Sequence, residues 1–127
     1  MGERGQIRVV EEKTEREFDD EFDHDVYLYT HWNGPELEDI VFKALSVRER
    51  WDDPEYLTRI IFCEMLKFSS NPLNESESFG IGNNKHGDLN YPLITINCTK
   101  QTVEIEDKEA CLFEDFLGDY AVKKKDK

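Results

Sequence analysis

No apolar run in the sequence approaches the ~20 residues that a membrane-spanning helix needs. The start, Met1-Gly2-Glu3-Arg4, lacks the apolar segment of a secretion signal. A cytoplasmic protein is expected, in the host cell cytoplasm if the source is viral. Gly2 does not open a myristoylation site, because Gln6 stands where Ser or Thr is wanted. Cysteine is scarce: Cys63, Cys98 and Cys111 form an odd set without a C-x-x-C spacing, which predicts buried free thiols. Asn74-Glu75-Ser76 and Asn97-Cys98-Thr99 match the glycosylation tripeptide, a coincidence where no secretion signal precedes them. Basic residues are also few, 16 Lys and Arg against 29 Asp and Glu, for a net charge of −13. That balance disfavours direct nucleic-acid binding, which needs clustered cations.

Motifs that fix a reaction are missing too. There is no H-E-x-x-H, no calcium loop, no G-x-S-x-G and no P-loop. Gly80-Ile81-Gly82 lacks the third glycine and the following helix of a dinucleotide site. His24 and His31, seven positions apart, are expected on opposite sides of one strand. No catalytic residue, metal site or cofactor is therefore assigned.

What remains is a patterned chain of 127 residues, enough for one domain with a real core. It is organised around Val26–Pro54. Val26–His31 is rich in β-formers and alternates Val26, Leu28 and Thr30 with Tyr27, Tyr29 and His31. Trp32-Asn33-Gly34 turns, and Pro35 opens a helix with Glu36, Glu38 and Asp39 in its first turn and Arg48 and Arg50 in its last. Leu37, Ile40, Val41, Ala44 and Leu45 make its apolar stripe. Asp53 caps a second helix, with Leu57, Ile60, Ile61, Met65 and Phe68 as its stripe. Tyr56, Phe62, Cys63 and Leu66 widen that stripe, so the second helix is expected to be the more buried. Strands are expected at Gln6–Val10, at Phe79–Gly82 with close backbone approach at its glycines, at Tyr91–Cys98 and at Thr102–Glu106. A short helix carries Leu112, Phe113, Phe116, Leu117 and Tyr120. The order ββααβββα implies an α+β fold: a two-layer sandwich, with a largely antiparallel sheet of about five strands, a helix pair on one face and a short C-terminal helix. Residues 1–122 form the domain and 123–127 a disordered basic tail. Leu57, Ile60, Ile61, Ile94, Ile96, Val103 and Ile105 should share one core. The Tyr27 and Tyr29 face should be covered, by the C-terminal helix or by a second subunit in a homodimer.

Residues 11–25 read as an acidic hairpin loop with nine acids and two bases. Phe18 and Phe22 interrupt it. A solvated loop is one reading. The other is a partner-binding surface of Phe18, Asp19, Asp20, Glu21, Phe22 and Asp23, in which the rings anchor and the charges steer.

A hairpin of the first two strands would bring His31, Trp32 and Asn33 near Met1, Gly2 and Arg4. The helix starting at Pro35 would aim its free N–H groups into that corner, as anion sites require. Arg4, His31, Trp32, Asn33 and Gly34 are thus the candidate ligand site. Against this stands a structural role, with Arg4 paired to a loop acid and Trp32 packed under the helix. Asn83-Asn84-Lys85-His86-Gly87-Asp88 is a second polar candidate, composed equally well for a turn.

With its Met1-Gly2-Glu3-Arg4 start and its Tyr27-Leu28-Tyr29-Thr30-His31-Trp32-Asn33-Gly34 segment, the chain resembles a family of small uncharacterised proteins of phages, prophages and prokaryotes. The similarity continues through Arg50-Trp51-Asp52, Tyr56–Phe62 and Phe79–Gly82. It implies a viral or mobile-element context. The element order also resembles half of the N-terminal-nucleophile hydrolase fold, but removal of Met1 would leave Gly2, which carries no nucleophile. The expectation is a non-enzymatic acidic interaction protein of a phage, archaeal virus or mobile element that binds a basic host protein. The alternative is a small hydrolase or anion-binding protein with its site at Arg4, His31 and Asn33.

Overall fold

The computed structural model describes residues 3–12, 22–68 and 79–125. Two long strands open the chain, β1 (Gly5–Glu12) and β2 (Phe22–Thr30). A 3-10 turn, Gly34–Glu36, leads into α1 (Leu37–Ser46), and α2 (Pro54–Leu66) follows. Four short strands come next: β3 (Phe79–Gly82), β4 (Ile94–Asn97), β5 (Thr102–Ile105) and β6 (Cys111–Leu112). The chain then enters α3 (Phe113–Lys125). The strands form one sheet in the order β3-β2-β1-β4-β5-β6. Among the described residues, only β1 and β4 run parallel; every other pair is antiparallel. This is the expected α+β sandwich, with six described strands against about five expected. Two residues at β6 are too few to show an alternating pattern in the sequence.

Strand alternation sorts the sheet into two faces. Ile7 lies opposite Leu28 and Ile94, and Val9 opposite Ile96. These side chains pack with Leu37, Ile40, Val41, Leu45, Leu57, Ile61 and Met65 beneath the helices. Val103 joins this core, while Ile60 and Ile105 pack against it half-buried. Gln6, Arg8, Tyr27 and Tyr29 occupy the other face, in register with one another.

Several expectations about the helices need correcting. The more buried helix is α1, not α2. It lies between α2 and α3, so neighbours cover it on both sides, whereas Tyr56 and Phe68 of the α2 region are exposed. Cys63 on α2 is exposed as well, and only Cys98 is fully buried. Burial, followed by the nearby charges of Glu11, Asp53 and Asp52, pushes the Cys98 thiol up to about 12. Arg48 and Arg50 are not in the last turn of α1. The helix ends at Ser46, and both arginines adopt left-handed backbone, φ 57° and 62°. Their side chains hold this tight turn: Arg48 reaches Glu114 at 2.7 Å and Arg50 lies 4.5 Å from the Tyr56 ring centre. Trp51 closes it by donating its indole N–H to the Leu45 carbonyl at 3.1 Å, which also accepts the Arg48 N–H at 3.0 Å.

The basic end is helical through Lys125 rather than a tail from residue 123, in keeping with the favourable field for cations at a helix C-terminus. Leu112, expected among the buried residues of that helix, precedes it on β6 and is exposed. The C-terminal helix does not cover Tyr27 and Tyr29. It packs against α1, with Phe113 beside Trp51 and Tyr120 beside Phe42. The glycines of β3 make no close approach: a β-carbon added at Gly80 or Gly82 would meet nothing within 4 Å. They stand opposite Tyr29 and Tyr27.

Candidate functional site

Pairing of β1 with β2 does bring the two ends of the predicted corner together. The Glu3 N–H donates to the His31 carbonyl and the Gly34 N–H to the Glu3 carbonyl, both at 2.8 Å. Gly34 is buried, and only glycine fits: an added β-carbon would lie 2.4 Å from the Tyr91 ring and 2.6 Å from the Glu3 oxygen. At Gly5 an added β-carbon would lie 2.6 Å from the end of the Leu37 side chain and 3.3 Å from the Gly34 backbone.

The second candidate stretch belongs to the same corner. Gln6, 1% exposed, donates from Nε2 to the Asn84 carbonyl at 3.0 Å and accepts the His86 N–H on Oε1 at 2.9 Å. One buried amide thereby ties the 84–86 loop to the outer face of β1. Asn90 extends the tie. Its Oδ1 accepts the Arg4 N–H at 2.9 Å, and its own N–H, together with that of Tyr91, donates back to the Arg4 carbonyl. The Arg4 guanidinium lies 3.6 Å from Asp88. The His86 ring stacks on Tyr29 with centres 4.3 Å apart, so Tyr29 is covered from within the chain. The Tyr29 hydroxyl is 3.2 Å from His31 Nδ1, and Trp32 meets the His31 ring edge-on at 4.4 Å. Trp32 is 51% exposed, not packed under the helix as the structural reading of the corner had it. Tyr27 is nearly buried, with the Arg8 guanidinium 5.4 Å from its ring centre.

The expected anion site is not formed. The chain enters α1 through a three-residue 3-10 turn whose N–H groups are used: Gly34 to Glu3, Glu36 to Asn33, and Leu37 to Gly34. Asn33 makes no side-chain cap. Its amide donates to Glu36 at 2.9 Å and its backbone N–H to Thr30 Oγ1 at 3.0 Å. The Glu36 carboxylate, bonded to the Asn33 amide, adds negative charge at this turn. Beside the corner is a shallow cleft of about 480 Å³, open to solvent, whose wall includes Lys85, His86, Asn90 and Glu106. Lys85 reaches Glu106 at 2.7 Å and, with the Leu93 N–H, holds that carboxyl below its ordinary range.

Among the described residues no group of three or more His, Cys, Asp or Glu could hold a metal ion, and no buried side-chain polar atom lacks a partner. No helix among them is long and apolar enough to cross a membrane. Met1, Gly2, Phe18, Asp19, Asp20 and Glu21 lie outside the described residues, as do Ser69–Ser78; of Phe22 and Asp23 the strand backbone is described. The sequence reading missed Gln6, Asn90 and Tyr91, which unite the two candidate stretches. The available signal was slight: Gln6 alternates with Ile7, as a residue of the outer face would. No family model, no curated protein and no solved structure matches this chain.

Proposed function

We propose that the protein is a non-enzymatic acidic interaction protein, of a phage, archaeal virus or other mobile element, that binds a basic host protein through the β1–β2 arm in the host cytoplasm. One observation carries this. The β1–β2 ladder continues past those of its neighbours: β4 pairs with β1 only over Ile7–Val10, and β3 pairs with β2 only over Tyr27–Thr30. Glu11 and Glu12 pair with His24 and Phe22 beyond both, and the turn after β4 braces this base of the arm: the Glu12 N–H donates to Thr99 Oγ1, and its carboxylate accepts from Asn97 and lies 3.4 Å from Lys100. Within residues 11–25 lies a net charge of −7, more than half that of the whole chain. An arm of this kind speeds encounter with a basic surface by long-range attraction, and Phe18 and Phe22 supply apolar area to bury on contact. The competing assignment, a small hydrolase or ligand site at Arg4, His31 and Asn33, has less support. Arg4 is engaged by Asp88 and Asn90, His31 by Tyr29 and Trp32, and Asn33 by Glu36 and Thr30.

The test is capture of partners from host lysate on the tagged chain, identification by mass spectrometry, and repetition with Asp19→Asn, Asp20→Asn, Glu21→Gln and Asp23→Asn combined. Binding should weaken steeply with salt, because exposed charges are screened over about 10 Å at 0.1 M. The neutralised arm should lose the partner while keeping the fold. A partner retained undiminished by that variant would move the function to the corner.

A further inference from the structure

We propose that the outer edge of β3 is a self-association surface, on which two copies of the chain pair their Phe79–Gly82 strands antiparallel about a two-fold axis. The two six-stranded sheets then join into one. This inference is independent of the acidic arm.

Among the described residues, β3 is the terminal strand of the sheet. Along the outer side of such a strand, backbone N–H and C=O groups face away from the ladder and serve as a template for another strand. Ile81 on this edge is 64% exposed, more than any other large apolar side chain among the described residues. Among the described residues, approach from the outer face is open too, since none lies within 4 Å of a β-carbon built on Gly80 or Gly82. Natural sheets guard such edges with charge or proline, and β3 contains neither. The opposite edge is treated differently: β6 is two residues long, and the exposed Glu104, Lys108 and Glu109 lie around it.

A second copy is the occupant that fits. The edge is neutral and apolar, so a charged strand finds no counter-charge on it, while an antiparallel pair of identical strands is self-complementary under two-fold symmetry. Stable interfaces bury roughly 1,200–2,000 Å², and a pair of four-residue strands supplies only part of that. The dimer is accordingly weak and concentration-dependent. Each copy carries a charge of −13, and the repulsion between copies is screened by salt. Self-association therefore strengthens with salt, the reverse of the response expected for the acidic arm.

Sedimentation of the full chain, from micromolar to submillimolar concentration at low and high salt, tests this. The weight-average mass should rise from 15.0 kDa toward twice that value, more readily at high salt. Ile81→Lys should hold the mass at the monomer value with an unchanged far-UV spectrum. Gly82→Lys, at a position with room for the side chain, should do the same if Ile81→Lys perturbs folding. Amides of β3 should become more protected from hydrogen exchange as concentration rises. A monomer under all conditions would overturn the proposal. So would a dimer that survives both lysine variants, or β3 amides whose protection ignores concentration.

Discussion

Gly34 and the ring of Tyr91 are packed so closely that a β-carbon on residue 34 would lie 2.4 Å from Cδ1 of the ring. The ring alone could swing aside, but the Glu3 carbonyl at 2.6 Å is backbone and is fixed by its bond to Gly34. Gly34→Ala should therefore destabilise the fold by about 1–3 kcal/mol, the usual cost of overpacking. Urea unfolding measures it. A change within about 0.5 kcal/mol, as at an ordinary surface site, would mean that the corner yields.

Gln6→Leu keeps the volume of the side chain and removes both of its bonds to the loop. The Asn84 carbonyl and the His86 N–H would lose their partner beside a buried position. The expected cost is about 1–3 kcal/mol, the penalty for orphaned polar groups. Faster hydrogen exchange at the His86 amide should accompany it, together with loss of the ring-current shift from the Tyr29 stack. An unchanged His86 amide would show that the loop is held by other means.

In the core, Ile61 is fully buried while Ile60 is half-buried. Ile61→Ala should cost about 2–5 kcal/mol, and Ile60→Ala clearly less. Equal losses at the two positions would contradict the observed rotation of α2.

Thiol labelling should separate the cysteines. Cys63 is exposed, whereas Cys98 is buried and its thiol is raised to about 12, which removes the reactive thiolate at neutral pH. A disulfide reagent should modify Cys63 quickly in the native protein and Cys98 only after unfolding. Equal rates would place Cys98 at the surface.

The Lys85–Glu106 pair has a pH signature. The carboxyl of Glu106 is held below its ordinary value of 4.5, first by Lys85 and then by the Leu93 N–H. A folded-state value below the unfolded one favours the deprotonated carboxylate in the fold. The small contribution is complete above the unfolded value and is lost as pH falls through the folded one. Lys85→Gln should raise the Glu106 midpoint in a carbon-detected NMR titration. A midpoint that does not move would assign the shift to other groups.

The sequence by itself determined the class of fold and most of its elements. Val26–Thr30 and Ile94–Asn97 alternate, Leu37–Leu45 repeats at helical spacing, and Asp53-Pro54 marks a helix start, where the Asp53 side chain indeed accepts the Tyr56 N–H. These are local signals, written by the period of the backbone and by capping chemistry. It also placed Arg4 beside His31, because a hairpin leaves no other arrangement of its ends. Tertiary structure alone decided that residues 83–91 close over that corner. Gln6 meets Asn84 and His86 across about eighty positions, and no local period encodes a contact at that separation. The same holds for the rank of the helices. Phe62 and Leu66 look as apolar as Val41 and Leu45, yet α1 is buried because α2 and α3 flank it. Hydrophobic spacing says which face of a helix turns inward; how many neighbours cover that face depends on where the whole chain has put them.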